Sequence, residues 1–489
     1  MKTDRSNAWT PRYHFFSQEE KNMPFDPNGL IFWKGRYHVF YLFGDKSINP
    51  HGCGWGHASS SDLVHWDFHK PALISDRPGE FSMNSGNILI TKEGKVAIVY
   101  NSCYVGMCIA LAQDDNLENW EKIPENPVIS DITPEMPEFQ VVTLGDPYCW
   151  LEKGRYYAAI GSRARPYSEY DTAYLFRSDD LIHWEYLRPL YQATDHYSMR
   201  LDDCQCPDFF EFGKQRMLLH ITHARGARCY LGDWLLDTFV PQYCQFFNFP
   251  SGNVFAPRSM LDGKGRRLVW FWLDDRLRYR EDASRPDMRQ IWALPRVFEP
   301  IEGGNGLRQF VPQEIQELCG APAETLTEQP SPGAPVTAPF HSRSCKLHVA
   351  FKLIQGIFAL DLFSNATGSE SLRLIVDKKA ERLILDHSTA KYPLPNDVYF
   401  WVPGASDPRP LRQEIPWQAA EDDMYEFDVY LDHCVAEVFD TQGRFAASQC
   451  IYTTPVNDNI LLRTNPDSKL QQLEITFHEM KPIVLNFQH

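Results

Sequence analysis

Lys34-Gly35-Arg36-Tyr37-His38-Val39-Phe40-Tyr41 is a tight basic turn running into an alternating apolar segment, and it is the first of five such stretches. Glu93-Gly94-Lys95-Val96, Lys153-Gly154-Arg155-Tyr156, Phe212-Gly213-Lys214-Gln215 and Lys264-Gly265-Arg266-Arg267 repeat it, with glycines 59, 60, 59 and 52 residues apart. The segments that follow, such as Ala97-Ile98-Val99-Tyr100 and Leu268-Val269-Trp270-Phe271, alternate or are wholly apolar, which is how buried strands read. A second signal keeps the same phase: Asp62-Leu63-Val64-His65-Trp66, Asn116-Leu117-Glu118-Asn119-Trp120 and Asp180-Leu181-Ile182-His183-Trp184, with a looser Asp237-Thr238-Phe239 in the fourth unit. Five all-β units of this length predict a five-bladed β-propeller whose innermost strands line a central funnel.

Outward from that repeat, residues 1–318 read as the propeller. Residues 319–338 are rich in Pro, Ala and Thr and read as a linker or surface strap. Residues 339–489 return to short strands, such as Lys346–Phe351 and Leu372–Val376, and predict a β-sandwich. The fold class is therefore all-β. Ser17–Lys21 and Pro312–Leu318 are expected to form short helices.

A net charge of −16 disfavours nucleic acid and anionic membranes as partners. No apolar run is long enough to span a bilayer, and the first residues lack an apolar leader core. The 12 cysteines are scattered without metal-ligand spacing, which predicts reduced thiols, a cytoplasmic protein and no metal or cofactor. A neutral small carbohydrate fits both the charge and the 13% aromatic content, although most of these rings belong to a β core. The sequence leaves the oligomeric state open, a homo-oligomer included.

Hydrolysis of a glycosidic bond needs two carboxyl groups, one to attack or activate water and one to protonate the leaving oxygen. In a propeller they belong on innermost strands, at a common distance before the repeat glycines. Asp26, in Asp26-Pro27-Asn28-Gly29, lies nine residues before Gly35, and Asp146, in Gly145-Asp146-Pro147, lies eight before Gly154. Gln205 lies eight before Gly213, and Phe81–Gly86 is the corresponding region of the second unit.

These residues resemble glycoside hydrolase family 32, the invertases, inulinases and levanases. The resemblance rests on Asp26-Pro27-Asn28-Gly29-Leu30, Trp55-Gly56-His57-Ala58, Phe81-Ser82, Gly145-Asp146-Pro147, Cys206-Pro207-Asp208 and Trp292-Ala293-Leu294-Pro295-Arg296, and extends to Leu431–Phe439. It implies a retaining β-fructofuranosidase acting on a fructoside or fructan. It also implies Asp26 as nucleophile, Asp146 as the group that holds substrate hydroxyls, and Gln205 at the acid/base position. Four positions depart from the family pattern: Phe25 replaces Asn, Leu42 replaces Gln, Gly145 replaces Arg and Gln205 replaces Glu. An amide cannot donate an acidic proton, and loss of general acid catalysis typically costs on the order of 10²–10⁴ in rate.

Three accounts of Gln205 follow: an engineered amide, a remodelled pocket with its acid elsewhere, or a sugar-binding protein without catalysis. A fructosyl transglycosidase is a variant of the second. Asp203, two residues from Gln205 and on the same face of a strand, is the alternative acid. Asn28, Trp55, Phe81, Ser82 and Trp272 are the further substrate-binding candidates, with Trp33 on an apolar rim. Phe25 is expected to make the pocket wall apolar and to raise the pKa of Asp26. His57, His65 and His183 read as blade residues, and His220 and His223, three apart, point to opposite faces of a strand. Arg163 and Arg165 are placed where they could reach the funnel.

Overall fold

The structure is a computed structural model and describes residues 8–16, 25–45, 47–49, 51–130, 142–164, 171–192, 197–198, 202–223, 225–249, 252–274, 290–392 and 411–487. Five antiparallel sheets succeed one another along the chain, each opening with a strand that ends near one of the repeat glycines. These inner strands are Pro27–Trp33, Met83–Ile90, Val142–Glu152, Gln205–Phe212 and Val254–Leu261. They pack in a closed ring, the first against both the second and the fifth. The five-bladed propeller expected from the repeat is the observed architecture.

Local chemistry explains both repeat signals. Gly35, Gly94, Gly154, Gly213 and Gly265 have φ of +84°, +76°, +76°, +62° and +76°. Glycine enters this left-handed region without a Cβ penalty, so it fits the hairpin between the first two strands of a blade. The second signal is the turn between strands three and four. There Leu63, Leu117 and Leu181 take φ of +67°, +59° and +68° while buried. The indole N–H of Trp66, Trp120 and Trp184 donates to the carbonyl of the leucine three residues back, at 2.9, 2.9 and 2.8 Å. Asp62 and Asp180 accept the backbone N–H groups two and three residues ahead. In the second blade that acceptor is Asp114 rather than Asn116.

The sandwich consists of two six-stranded sheets. Its own core includes Leu347, Val349 and Phe351 from one sheet and Leu360, Leu362 and Leu374 from the other. Tyr430, Val435 and Phe439, from the first sheet, instead join Phe271, Trp292 and Phe298 of blade 5 in a single apolar cluster. Two boundaries are crossed. Within the stretch read as linker, Glu324–Leu326 and Val336–Thr337 pair with the edges of the two sandwich sheets. Near the C-terminus, Val484–Phe487 lies parallel to His65–Phe68 as a fifth strand of blade 1. A short helix forms at Gln313–Gln316, and Ser17–Lys21 lies outside the described residues. Among the described residues no helix is long and apolar enough to cross a membrane.

Candidate active site

Every inner strand carries a β-bulge at the same level of the funnel. The register breaks fall between Pro27 and Gly29, Met83 and Gly86, Leu144 and Pro147, Gln205 and Asp208, and Phe255 and Arg258. A bulge leaves a residue outside the ladder and re-aims its side chain. Those residues fall six to ten positions before the repeat glycine, so the phase that singles out Asp26 and Asp146 is that of the bulge region, with Asp146 in its bulge and Asp26 two residues ahead of Asn28. Cys206 and Ala256, both in bulges, take φ of +48° and +42°; left-handed backbone in residues other than glycine marks strain of the kind that clusters at functional sites.

Four blades converge there. Asp26 is buried at the start of blade 1, its carbonyl accepting the Leu42 N–H at 3.0 Å. Its Oδ2 accepts the Ser85 hydroxyl of blade 2 at 3.0 Å. The Cys206 thiol of blade 4 lies 3.8 Å from the same oxygen and 3.4 Å from Oδ2 of Asp146, on blade 3. Asp146 also accepts the Cys206 backbone N–H at 3.3 Å. Burial raises the pKa of Asp146 above the ordinary carboxylate value, opposed by the two Cys206 hydrogen bonds and by the positive fields of Arg258 and His223. Burial, together with the charges of Asp146 and Asp26, pushes the Cys206 thiol far up, so it serves as a neutral donor between two carboxylates.

Gln205 is buried and turned toward blade 3. Its Oε1 accepts the Asp146 N–H at 3.4 Å and lies 2.4 Å from the place a Cβ on residue 145 would occupy. Gly145 and Gln205 therefore form one coupled arrangement, in which the amide fills the room left by an absent side chain. Asn28, in the bulge of blade 1, is fully buried, and neither polar atom of its side chain has a hydrogen-bond partner among the described residues.

Several expected pocket residues belong to the core instead. Phe25 is 1% exposed, packed against Phe15, Tyr41 and Trp292, and its carbonyl accepts the Trp292 indole at 2.6 Å. It does not provide the apolar pocket wall. Leu42, Trp55 and Trp272 are buried as well, with the indoles of Trp55 and Trp272 donating to the Asn84 carbonyl and to Gln290 Oε1 at 2.9 Å each. Burying such large apolar surfaces between blades is favoured over leaving them at a wetted rim. Ser82 accepts the Cys53 N–H and donates to Asn84, tying blade 1 to blade 2. Phe81 is half exposed and lies 6.3 Å from the exposed Tyr104. Trp33 sits beside the hairpin turn, at the end of its strand away from the bulge. His65 and His183 bond to the turn carboxylates Asp62 and Asp180. His57 stacks between Phe40 and His69. The side chain of Arg163 and the whole of Arg165 lie outside the described residues.

Asp203 is buried and clamped to His223, with Oδ2 2.7 Å from Nδ1 and Oδ1 accepting the His223 backbone N–H at 2.8 Å. Sequence reasoning set His223 aside by comparing it with His220. The sign that would have found it is the hairpin register: with Gln205 opposite Ile221, Asp203 falls opposite His223. Ser85 was equally legible, being nine residues before Gly94 as Asp26 is before Gly35.

Residues 14–310 match the model of the glycosyl hydrolases family 32 N-terminal domain, and residues 314–478 match that of the family 32 C-terminal domain. Over 353 residues the chain is 27% identical to fructan 1-exohydrolase of Hordeum vulgare, covering 64% of this chain and 56% of that protein. The chain thus spans little more than half the length of that relative. It is 26% identical over 440 residues to sucrose-6-phosphate hydrolase of Zymomonas mobilis, covering 80% of this chain and 81% of that protein. Among solved structures, exo-inulinase from Aspergillus awamori superposes with a TM-score of 0.79 at 18% identity, covering 99% of this chain and 100% of that one. Fructan 1-exohydrolase IIa from Cichorium intybus gives 0.77 at 19%, covering 98% and 99%.

Proposed function

Because the chain belongs to glycoside hydrolase family 32, we propose that it is a retaining glycosidase of the β-fructofuranosidase type. Its substrate is a small fructoside or a fructan. Asp26 attacks the anomeric carbon and carries the glycosyl group. Asp146 holds ring hydroxyls and steadies the positive charge of the transition state, and Asn28 offers a buried amide at the same level.

The observation that carries this reading is the meeting of Asp26 and Asp146, from blades 1 and 3, at the Cys206 thiol. Two carboxylates held so near one another in a funnel suit a sugar ring that must be attacked on one side and held on the other. Fructan- and sucrose-phosphate-cleaving relatives support the substrate class. A cytoplasmic setting suits a chain in which nine of the twelve cysteines are buried thiols.

Asp26→Asn is expected to lower turnover of fructosides by on the order of 10⁴-fold or more. Rapid quench of the unaltered protein, followed by peptide mass spectrometry, is expected to place one anhydrohexose on Asp26. Undiminished activity in the variant would sink the retaining mechanism. Calorimetric binding of fructosides without turnover would assign the chain to sugar binding alone.

A further inference from the structure

Cys206 turns two donors onto Asp146, and it does so from a left-handed backbone, at φ of +48°. A residue with a Cβ keeps that conformation only where its surroundings fix it. The next residue, Pro207, has no N–H, so only its carbonyl can tie this peptide to a neighbour. That carbonyl accepts Nη1 of Arg258, from blade 5, at 2.6 Å. One residue on, Oδ2 of Asp208 accepts the Ser259 N–H at 2.7 Å. Blade 5 therefore grips the bulge of blade 4 twice, immediately after Cys206 in the chain.

Arg258 is 1% exposed, and its guanidinium carbon lies 6.0 Å from the ring centre of Tyr148, on blade 3. A guanidinium stays charged when buried, and away from water its field reaches past direct contact. Burial raises the pKa of Asp146 and of Asp208, and Arg258 opposes both rises. Asp146 also faces Cys206 and His223 of blade 4 and, across the Cys206 thiol, Asp26 of blade 1. Ser85 of blade 2 and Gln205 of blade 4 carry no charge, and neither does Gly145 beside it. Arg258 itself faces Asp208 and Tyr148, with Arg267 of its own blade near both.

Resting on the retaining reading above, we propose that Arg258 is a positioning residue of the reaction. It clamps the Cys206–Pro207 peptide so that the thiol and N–H of Cys206 stay on Asp146, and it brings to that carboxylate a positive charge that position 145 does not supply. Asp146 can steady the positive charge of the transition state only as a carboxylate. Arg258 thus widens, toward acid, the pH range in which the site works.

The test compares Arg258→Gln, Arg258→Lys and the unaltered full chain by pH profiles of kcat/KM on sucrose and p-nitrophenyl β-fructofuranoside, with melting curves for each protein. Removing an opposite charge raises the pKa of a carboxylate. In Arg258→Gln the acid limb is therefore expected about one unit higher, with roughly tenfold less activity below it and a smaller loss on the plateau. Arg258→Lys keeps a charge and a donor, and its limb is expected to rise by less than about half a unit. A folded Arg258→Gln that loses the same factor at every pH would show a merely structural clamp and overturn the assignment. So would an Arg258→Lys whose limb rises as far as that of Arg258→Gln. If Arg258→Gln does not fold, Arg258→Lys decides: a rise under about half a unit supports the assignment and a larger one overturns it. If Asp26→Asn is inactive but the limb of a folded Arg258→Gln stays in place, only the assignment of Arg258 falls. If Asp26→Asn stays active, or the unaltered chain turns over neither substrate, the retaining reading falls with it.

Discussion

At the scale of single residues, the centre of this site is a thiol rather than a charge pair. Cys206 sits in strained left-handed backbone and hydrogen-bonds to Asp146 through both its N–H and its Sγ. Burial raises the pKa of Asp146, and Cys206 opposes that rise. Cys206→Ala removes the thiol donor and leaves the backbone one. The Asp146 pKa should then climb further, and the acid limb of the kcat/KM profile should move to higher pH. A hydrogen bond to a charged group is worth about 1.5–3 kcal/mol, and a thiol is a weak donor, so the expected shift is about one unit or less. A pH–rate series on a fructoside checks this, and an acid limb that stays put or moves down contradicts it. Asp26, Asp146 and the anomaly at Gln205 were legible in the sequence because each lies eight or nine residues before its repeat glycine, in or within two residues of the bulge. The side-chain directions of Phe25, Leu42, Trp55 and Trp272 were not legible, because family motifs give neighbours along the chain and say nothing of which face a blade-to-blade contact buries. The pairing of Gly145 with Gln205 was hidden for a related reason: each is a departure in sequence, and only the placement of the Gln205 amide where a Cβ on residue 145 would sit shows that they share one space.

At the scale of the element, the turn between the third and fourth strands of a blade sets strain against packing. Leu117 has φ of +59° and is fully buried in the cluster of Phe40, Trp55 and Tyr100. Left-handed backbone costs a residue with a Cβ roughly 1–2 kcal/mol. Deleting a buried leucine side chain costs about 2–5 kcal/mol. Packing wins, so Leu117→Gly is expected to destabilise the fold by about 1–3 kcal/mol even though it relieves the backbone. Chemical denaturation checks this, and an unchanged or raised midpoint would show that the strain dominates. The same balance explains why this repeat could be read in the sequence. An apolar residue is retained in a conformation that glycine would adopt more easily, so the Asp/Asn-Leu-x-x-Trp pattern persists from blade to blade. The pattern did not distinguish Asn116 from Asp114 as acceptor in the second blade, since both are turn formers and only the hydrogen bonds select between them.

At the scale of the whole molecule, propeller and sandwich are joined by a buried ionic knot that no motif announced, because its three segments are more than 100 residues apart. His14 Nδ1 lies 2.8 Å from Asp432 and Nε2 lies 3.0 Å from Glu437, while Asp432 also accepts the backbone N–H groups of Arg12, Tyr13 and His14. Glu437 in turn accepts the Leu294 N–H at 2.7 Å and faces Arg296 at 3.7 Å. Burial pulls the imidazole pKa down, but the bonds and charges of Asp432 and Glu437 outweigh it and push it from 6.5 to about 9. A folded-state pKa above the unfolded one means that protonation favours folding. The stabilisation from His14 is therefore complete below about pH 6.5 and fades as pH rises through about 9. Removing one partner of a buried charged pair costs about 3–5 kcal/mol. His14→Gln should therefore melt well below the unaltered protein at pH 6.5, and the gap should narrow as pH approaches 9. Melting temperatures of both proteins across that window decide the point. A gap that stays constant would mean that His14 is held by shape and not by its proton.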